Sequence, residues 1–328
     1  MSSEQHLQNK RHALQEHYDL VAEKLKRLRR DYAIAADTLI RFQLEKQIEQ
    51  TEAELNELDQ QLYLLERALS SGRVYRALLK LGYREQTRAF RRFIETHSVA
   101  AFLIHGSLYY GQRWLLNRLV VQNVPNIMTG KVVRIELSRI ARRSDSAALW
   151  RELGGRVGLG RQSSIPEIAE RVYQWWRTQN VLLILYDVDC LSETLLHELI
   201  RDFWLLLATK VKAASPQVSQ FKLLMFLVDY DGCVGSWNIP FVERLDSTWK
   251  PDNPVKLPEI NQFSDDELTN WLEYAADELP TKLIDQLDET VQTILKNSDN
   301  GIPEHALGEI CHLSGCNWYD EEEKWLRL

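Results

Sequence analysis

The chain has 328 residues, more than one typical domain, and its 45% apolar content is enough for a sizeable core. No apolar run reaches the roughly 18 residues that span a bilayer, and the polar start lacks the apolar stretch of a secretion signal, so we expect a cytoplasmic protein without membrane contact. The net charge of −7 is unevenly distributed: residues 1–70 carry −3, residues 71–161 carry +12, and residues 162–328 carry −16.

The first 70 residues have the pattern of two long helices, with almost no glycine or proline. Apolar residues recur at alternating spacings of four and three, a heptad pattern, and Asp37 is a plausible N-cap between the two runs. We therefore expect an antiparallel hairpin of two helices of about 25–30 residues each, ending near residues 70–72. Since each helix has one narrow apolar stripe, it should pack on itself, on a second copy, or on a partner's helices. The expected seam comprises Leu14, Tyr18, Val21, Leu25, Leu28 and Tyr32, then Leu44, Ile48, Thr51, Leu55, Leu58, Leu62, Leu65 and Leu69.

From Val74 onward, short apolar runs alternate with helical patterns, which indicates βα units and a parallel sheet. The runs VLLILYD and LLMFLVD are almost continuously apolar, as strands buried on both faces are. This composition favours a three-layer α/β core. Predicted strands are 100–105, 132–137, 181–187, 223–229 and 255–257, and predicted helices are 76–95, 112–122, 146–157, 166–178 and 193–213.

After Leu257 the chain becomes helical and acidic. Ser264 and Glu267 form a capping box, and Phe263 and Leu268 form the accompanying hydrophobic staple, which together signal a helix start. We expect this end of the chain to form a helical lid beside the sheet. Its further helices are predicted at 282–296, at 303–313 and around Trp318 and Trp325, which are seven residues apart on one face.

A candidate phosphate-binding loop follows the first predicted strand, in the sequence HGSLYYGQRW. Gly106 and Gly111 have the G-x-x-x-x-G spacing of loops that wrap phosphates in backbone N–H groups. The motif continues with a lysine for the phosphates and a hydroxyl for Mg²⁺, but here Gln112 and Arg113 occupy those positions. The absence of the lysine and the hydroxyl should weaken nucleotide binding by about a hundredfold or more. We interpret the loop as a tight strand-to-helix turn in a nucleotide-binding fold that has lost its nucleotide chemistry.

Carboxylates follow the third and fourth predicted strands, in the order expected of such a fold. Asp187 has the position of the metal-side acid, Asp189 follows after one valine, and Asp229 ends the next strand, where a polar group often senses the γ-phosphate.

Other kinds of site have little support in the sequence. Cys311, His312 and Cys316 fit no common zinc spacing, so we expect no metal and no cofactor.

With these features, residues 74–328 resemble the inactive STAND family, degenerate relatives of the signal-transducing P-loop ATPases of bacterial conflict and signalling systems. The resemblance rests on LGYREQTRAFRRFI, AFLIHGSLYYGQRWLLNRL, LWRELGGRVGL, VYQWWRTQNVLLILYDVD and the paired tryptophans, with GQRW at 111–114 the most specific. The segment IRFQLEKQIEQTEAELNELDQQL is similar to coiled-coil segments attached to effector and scaffold proteins of the same systems.

The resemblance implies a P-loop NTPase-like α/β domain that is not an enzyme and that holds protein partners in a complex, through the hairpin or as a homo-oligomer. The implied division is 1–72 for the hairpin, 73–258 for the degenerate NTPase-like domain and 259–328 for the helical subdomain.

Two other hypotheses stay open. In the first, Arg113 and Asp187 serve an unconventional nucleotide switch. In the second, the basic segment 71–161 binds nucleic acid through Arg84, Arg88, Arg91 and Arg92, which recur at helical spacings. We consider nucleic acid the less favoured partner, because a charged helix face is usually solvated or docked on an acidic part of the same chain.

Overall fold

Apolar strands form the centre of the structure, a sheet in which every paired strand runs parallel to its neighbour. The computed structural model describes residues 3–141, 146–160, 162–214, 221–243 and 249–326. The strands are Val99–His105 (β1), Lys131–Glu136 (β2), Val181–Tyr186 (β3), Leu223–Asp229 (β4) and Val255–Lys256 (β5).

The strand order across the sheet is β2-β3-β4-β1-β5. β1, β3 and β4 are buried along their whole length, which explains their continuous apolar sequence, whereas β2 at the edge alternates between buried and exposed residues. The predicted α/β class with a parallel sheet is therefore confirmed, and each predicted strand lies within one residue of an observed one.

Helices cover both faces of this sheet, because alternate strand residues point to opposite sides. The helices are Ser3–Ile34 (α1), Thr38–Leu78 (α2), Arg84–Thr96 (α3), Gln112–Asn123 (α4), Ser138–Ala141 (α5), Ser146–Arg156 (α6), Ile165–Trp176 (α7), Glu193–Glu198 (α8), Leu205–Ala213 (α9), Asp265–Tyr274 (α10), Thr281–Asp285 (α11), Leu287–Asn297 (α12), Pro303–Leu313 (α13) and Trp318–Trp325 (α14). Phe102 and Phe226 pack with α3, α4 and the C-terminal helices, while Leu103 and Leu183 pack with α6 to α9 on the other face. In the described part of the chain, none of the helices has the length and apolar character to cross a membrane.

Helices α1 and α2 pack against each other as a hairpin whose turn is capped by Asp37, as predicted. The seam positions are buried or half-buried along both helices. However, α2 does not break at residues 70–72. It runs on to Leu78, because Ser71 donates a hydrogen bond of 2.6 Å to Glu321 and the following turn carries Val74 and Ala77 into the core. The hairpin helices are consequently longer than predicted, at 32 and 41 residues. The coiled-coil assignment and the three-domain division stay predictions.

The single helix predicted over 76–95 is wrong, because the chain turns between α2 and α3. Gly82 and Tyr83 have φ angles of +64° and +53°, in the left-handed region. The side chain of Arg118 donates hydrogen bonds to the backbone oxygens of Leu81 and Gly82, which fixes the turn.

Two other predicted helices are interrupted. A π-helical turn, Leu199–Trp204, separates α8 from α9, and a break at Gln286 separates α11 from α12.

Candidate functional site: the degenerate phosphate-binding loop

The loop between β1 and α4 has the tight strand-to-helix conformation that its glycine spacing predicts. Gly111 directly precedes α4 with a φ of +73°, and Tyr109 also lies in the left-handed region at +66°. A Cβ atom on Gly111 would lie 2.5 Å from the Tyr83 hydroxyl, and one on Gly106 would lie 3.0 Å from the Cβ of Ile260. Packing within the protein therefore accounts for both glycines without a bound ligand.

Gln112, in the position of the motif lysine, is bonded to the loop itself. Its side chain is 1% exposed, and its Nε2 donates to the backbone oxygens of Gly106 at 2.8 Å and Ser107 at 2.9 Å. The amide is thus a neutral strut that joins the two ends of the turn. As a neutral amide it offers a phosphate no positive charge, and both of its described hydrogen bonds already go to backbone carbonyls.

Arg113 occupies the position of the motif hydroxyl. Its side chain is exposed, and its guanidinium lies 5.8 Å from the ring centre of Tyr186 at the end of β3. The arginine also reaches a small cavity of about 210 Å³ at the start of α4. That volume is below the roughly 300–1,000 Å³ of typical ligand sites.

Two carboxylates, Glu304 on α13 and Glu322 on α14, line the same cavity. Burial raises the pKa of Glu304, and the negative charge of Glu322 raises it further. Burial also raises the pKa of Glu322, against the opposing effect of Arg113. Like charges raise the free energy of a nearby anion, and the two carboxylates outnumber the single cation of Arg113, so this lining disfavours a phosphate. The residues present do not fit the triphosphate and magnesium that the motif normally holds.

Helix α13, one of the C-terminal helices, also holds the loop in place through two contacts. The backbone N–H of Glu304 donates to the oxygen of Tyr109 at 3.0 Å, and the ring of Tyr109 lies 5.2 Å from that of His305. From the other side, the Tyr83 hydroxyl donates to the oxygen of Tyr110 at 3.2 Å. The loop is therefore held between α13 and the turn that precedes α3.

An aromatic cluster lies behind the loop and joins three parts of the chain. Trp114 on α4 has its ring centre 5.4 Å from Trp318 and 6.3 Å from Trp325, both on α14. Tyr75 on α2 contacts the same cluster, 5.8 Å from Trp114 and 5.5 Å from Trp325. The paired tryptophans lie on one helix face, as the seven-residue spacing predicts, and they connect the hairpin helix α2 to the loop helix.

The three predicted acidic residues lie at the carboxyl ends of the adjacent strands β3 and β4, and each is bonded to protein groups. Asp187, with a φ of +59°, accepts a hydrogen bond from the Ser138 hydroxyl. Asp189 accepts one from the backbone N–H of Tyr230 at 3.0 Å. Asp229 is fully buried and accepts three backbone N–H bonds of 2.8–3.1 Å from the following turn. Burial raises the pKa of Asp229, and these three bonds oppose that rise.

Sequence reasoning missed the residues that close the site, namely Tyr83, Glu304 and Glu322. Each comes from outside the strand–loop–helix unit, and no motif marks it. The described residues include no group of three or more His, Cys, Asp or Glu side chains that could hold a metal ion.

Comparison with known proteins finds a family match over the part of the chain that contains this loop. Residues 78–228 match the model of the family described as inactive STAND. This stretch, a little under half of the chain, therefore resembles a family whose name denotes lost activity. No curated protein matches the sequence.

Two solved structures are similar at low identity. The ORC2 protein of Aeropyrum pernix, solved in ADPNP–ADP complexes, is 14% identical with a TM-score of 0.43; the match covers 74% of this chain and 65% of that protein's length. Domain III of the replication initiation protein DnaA from Thermotoga maritima is also 14% identical, with a TM-score of 0.37 and coverage of 76% and 90%.

Proposed function

We propose that this protein is a non-catalytic scaffold or sensor component of a bacterial conflict or signalling complex, built on an NTPase-like domain that no longer hydrolyses nucleotide. The observation that carries the proposal is the closed loop. Gln112 bonds across it, and the cavity beside it is lined by Glu304 and Glu322. A neutral amide stands where the motif has its lysine, and two carboxylates face the one cation, Arg113, that lines the cavity.

The hairpin supports the partner-binding part of this proposal. At its tip, Ile34, Leu39, Ile40 and Phe42 are 77%, 66%, 49% and 57% exposed. Such a group of apolar side chains on one exposed end is typical of a protein-interaction surface. The other end of α2 is fixed in the core, so a partner bound at the tip would be held rigidly relative to the NTPase-like domain.

Nucleotide binding to the whole chain tests the closed loop. We expect the tryptophan fluorescence, with Trp114 next to the loop, to show no saturable response to ATP or GTP with Mg²⁺. A magnesium-dependent response with a micromolar midpoint that disappears in Asp187→Ala would contradict the proposal and favour a nucleotide switch.

A restoration series locates the cause of the expected loss. The double variant Gln112→Lys/Arg113→Thr rebuilds the motif but leaves both carboxylates in place. Adding Glu304→Gln and Glu322→Gln should tighten ATP binding by about tenfold or more over the double variant, because two repelling charges are removed. Equal affinities of the double and quadruple variants would show that the carboxylates do not exclude phosphate.

Partner capture tests the hairpin. The natural protein and the tip variant Ile40→Glu/Phe42→Glu would be used to purify partners from the native host, with the exposed Leu20→Glu on α1 as the matched control. We expect the tip variant alone to lose the partner. An unchanged set of partners would remove the tip as the docking element.

A further inference from the structure

A second, basic groove lies between α3 and α4, outside the loop cavity. It has a volume of about 310 Å³ and is lined by Arg84, Arg88, Arg91, Arg92 and Arg118. Its only acidic lining residue among the described residues is Glu95. Helical residues three and four apart share one face, so the four arginines of α3 form a stripe along one wall of the groove, while Arg118 comes from α4.

Arg118 is a buried cation that makes no salt bridge with a carboxylate in the described structure. Its side chain is 6% exposed, and its Nη1 donates only to the backbone oxygens of Leu81 and Gly82, whereas its Nε has no hydrogen-bond partner among the described residues. Burial lowers the pKa of Arg118 to about 10, although Tyr83 and Glu267 oppose this shift. A buried charge without a directly bonded counter-charge is unfavourable, and an anion in the groove would compensate it.

Thr87 presents a second unpartnered group in the same groove. It is 8% exposed, and its Oγ1 makes no hydrogen bond within the described part of the chain. Buried polar groups are normally satisfied, and a ligand in the groove could supply the acceptor that this hydroxyl lacks. A hydroxyl and a guanidinium that line the same groove are the kinds of donor that a phosphate group accepts from, since it takes several charge-assisted hydrogen bonds.

We propose that the α3–α4 groove binds the phosphate end of a small polyphosphorylated ligand. The terminal phosphate would take hydrogen bonds from Arg118 and Thr87, and a second phosphate would lie against Arg88 and Arg92, which are about 6 Å apart along α3. The groove volume is at the lower end of small-molecule sites, roughly 300–1,000 Å³. A nucleic-acid backbone lying across the groove would contact the exposed arginines but would not need the two buried groups. This site is separate from the closed loop and does not depend on the scaffold role.

Calorimetric titration of the whole chain with inorganic tripolyphosphate tests the site. We expect saturable binding at 50 mM salt that weakens as salt increases. Arg88→Gln/Arg92→Gln should weaken it by about tenfold or more, and Thr87→Val by several-fold, because each change removes a donor to phosphate. Both sets of side chains lack structural bonds in the described residues, so circular dichroism should show an unchanged fold. Absence of binding at 50 mM salt would overturn the proposal.

Two control variants distinguish binding in the groove from non-specific attraction and from binding at the loop. Arg171→Gln, on the exposed face of α7, removes a charge elsewhere and should leave the affinity unchanged; an equal loss there would show non-specific attraction and overturn the site. Arg113→Gln should also have no effect. If it abolished binding, the anion would lie at the loop, and both this site and the closed loop of the proposed function would be wrong.

Titration with oligonucleotides tests directly whether the groove binds nucleic acid instead. Single-stranded and duplex DNA would be titrated under the same conditions. Binding tighter than that of tripolyphosphate and insensitive to Thr87→Val would assign the arginine stripe to nucleic acid and contradict the proposal. Weaker DNA binding, together with a Thr87→Val effect on tripolyphosphate, would support it.

Discussion

Helix α4 begins at the degenerate loop and, about 9 Å further along its axis, forms one wall of the arginine groove. At its start, the neutral Gln112 lies in the position of the motif lysine, and the carboxylates Glu304 and Glu322 line the cavity beside it together with Arg113. In the groove beside α4, the lining is mostly positive: it consists of Arg118, the arginines of α3 and the single carboxylate of Glu95. A glycine motif therefore locates a backbone turn, whereas the place where an anion is favoured depends on charges brought in by other elements.

The largest expected difference between the two regions is in packing. Trp114 is 1% exposed and is the centre of the aromatic cluster behind the loop. Trp114→Ala should lower the free energy of unfolding by about 3–5 kcal/mol, because it leaves a large cavity. Arg88→Ala, on the exposed groove wall, should change it by less than about 0.5 kcal/mol. Urea unfolding followed by circular dichroism measures both, and similar values for the two variants would show that the loop side is not the packed side.

The next effect concerns the strut across the loop. Gln112→Met keeps the approximate length of the side chain but removes both donors, so the oxygens of Gly106 and Ser107 lose their bonds. We expect a loss of about 1–3 kcal/mol of stability, as for other buried polar groups left unpaired.

The matched control is Gln122→Met at the exposed end of the same helix. Gln122 donates to the oxygen of Leu79 in a solvent-exposed position, where water can replace it. Its loss should change stability by less than about 0.5 kcal/mol. If Gln112→Met were as mild as this control, Gln112 would not hold the loop closed.

Local patterns explain which features of the fold could be predicted. The continuous apolar runs of β3 and β4 identify them as buried strands, and the substitutions at Gln112 and Arg113 are visible within one motif. The break at Tyr83 could not be seen, because helical periodicity continues through it and the turn is fixed by Arg118 on another helix.

The loop and its cavity could be predicted even less completely, because their contacts come from distant parts of the chain. The loss of the motif lysine is local, but the hydrogen bonds that Gln112 makes instead depend on the shape of the turn. Glu304 and Glu322 reach the loop only because α13 and α14 fold over it, through the aromatic cluster and the backbone bond to Tyr109. Neither carboxylate lies in a pattern that would have marked it as part of a site.

A smaller effect on stability should come from Glu304, which lines the cavity at the start of α4, and it should depend on pH. Burial and Glu322 raise the pKa of Glu304 above the ordinary carboxyl value, so the folded state holds its proton more tightly than the unfolded state. The contribution of the protonated Glu304 carboxyl to the free energy of unfolding is fully present below the pKa of the unfolded state. It is lost as the pH rises through the pKa of the folded state. At pH 7 the ionised group therefore destabilises the fold, and Glu304→Gln should be slightly more stable than the natural protein, by less than about 1 kcal/mol because the group is partly solvated.

Unfolding at pH 7 and pH 4 checks the sign of this effect. The advantage of Glu304→Gln should shrink on acidification, since the natural carboxyl then becomes neutral as well. Glu273→Gln, an exposed change of the same charge on α10, serves as the matched control. A Glu304→Gln variant that is less stable at pH 7 than at pH 4, relative to the natural protein, would mean that the carboxylate is favourably paired.

The smallest expected effect belongs to Thr87, and its sign tests the groove. The Oγ1 is buried without a described partner, so Thr87→Val removes an unsatisfied group and should raise the free energy of unfolding by about 0.5 kcal/mol. Thr96→Val on the same helix removes a hydroxyl that donates to the oxygen of Arg92, and should not stabilise the protein. A purely structural role for Thr87 would lower stability and ligand binding together. Opposite signs, with stability raised and polyphosphate affinity lowered, are what a hydroxyl kept for a ligand requires.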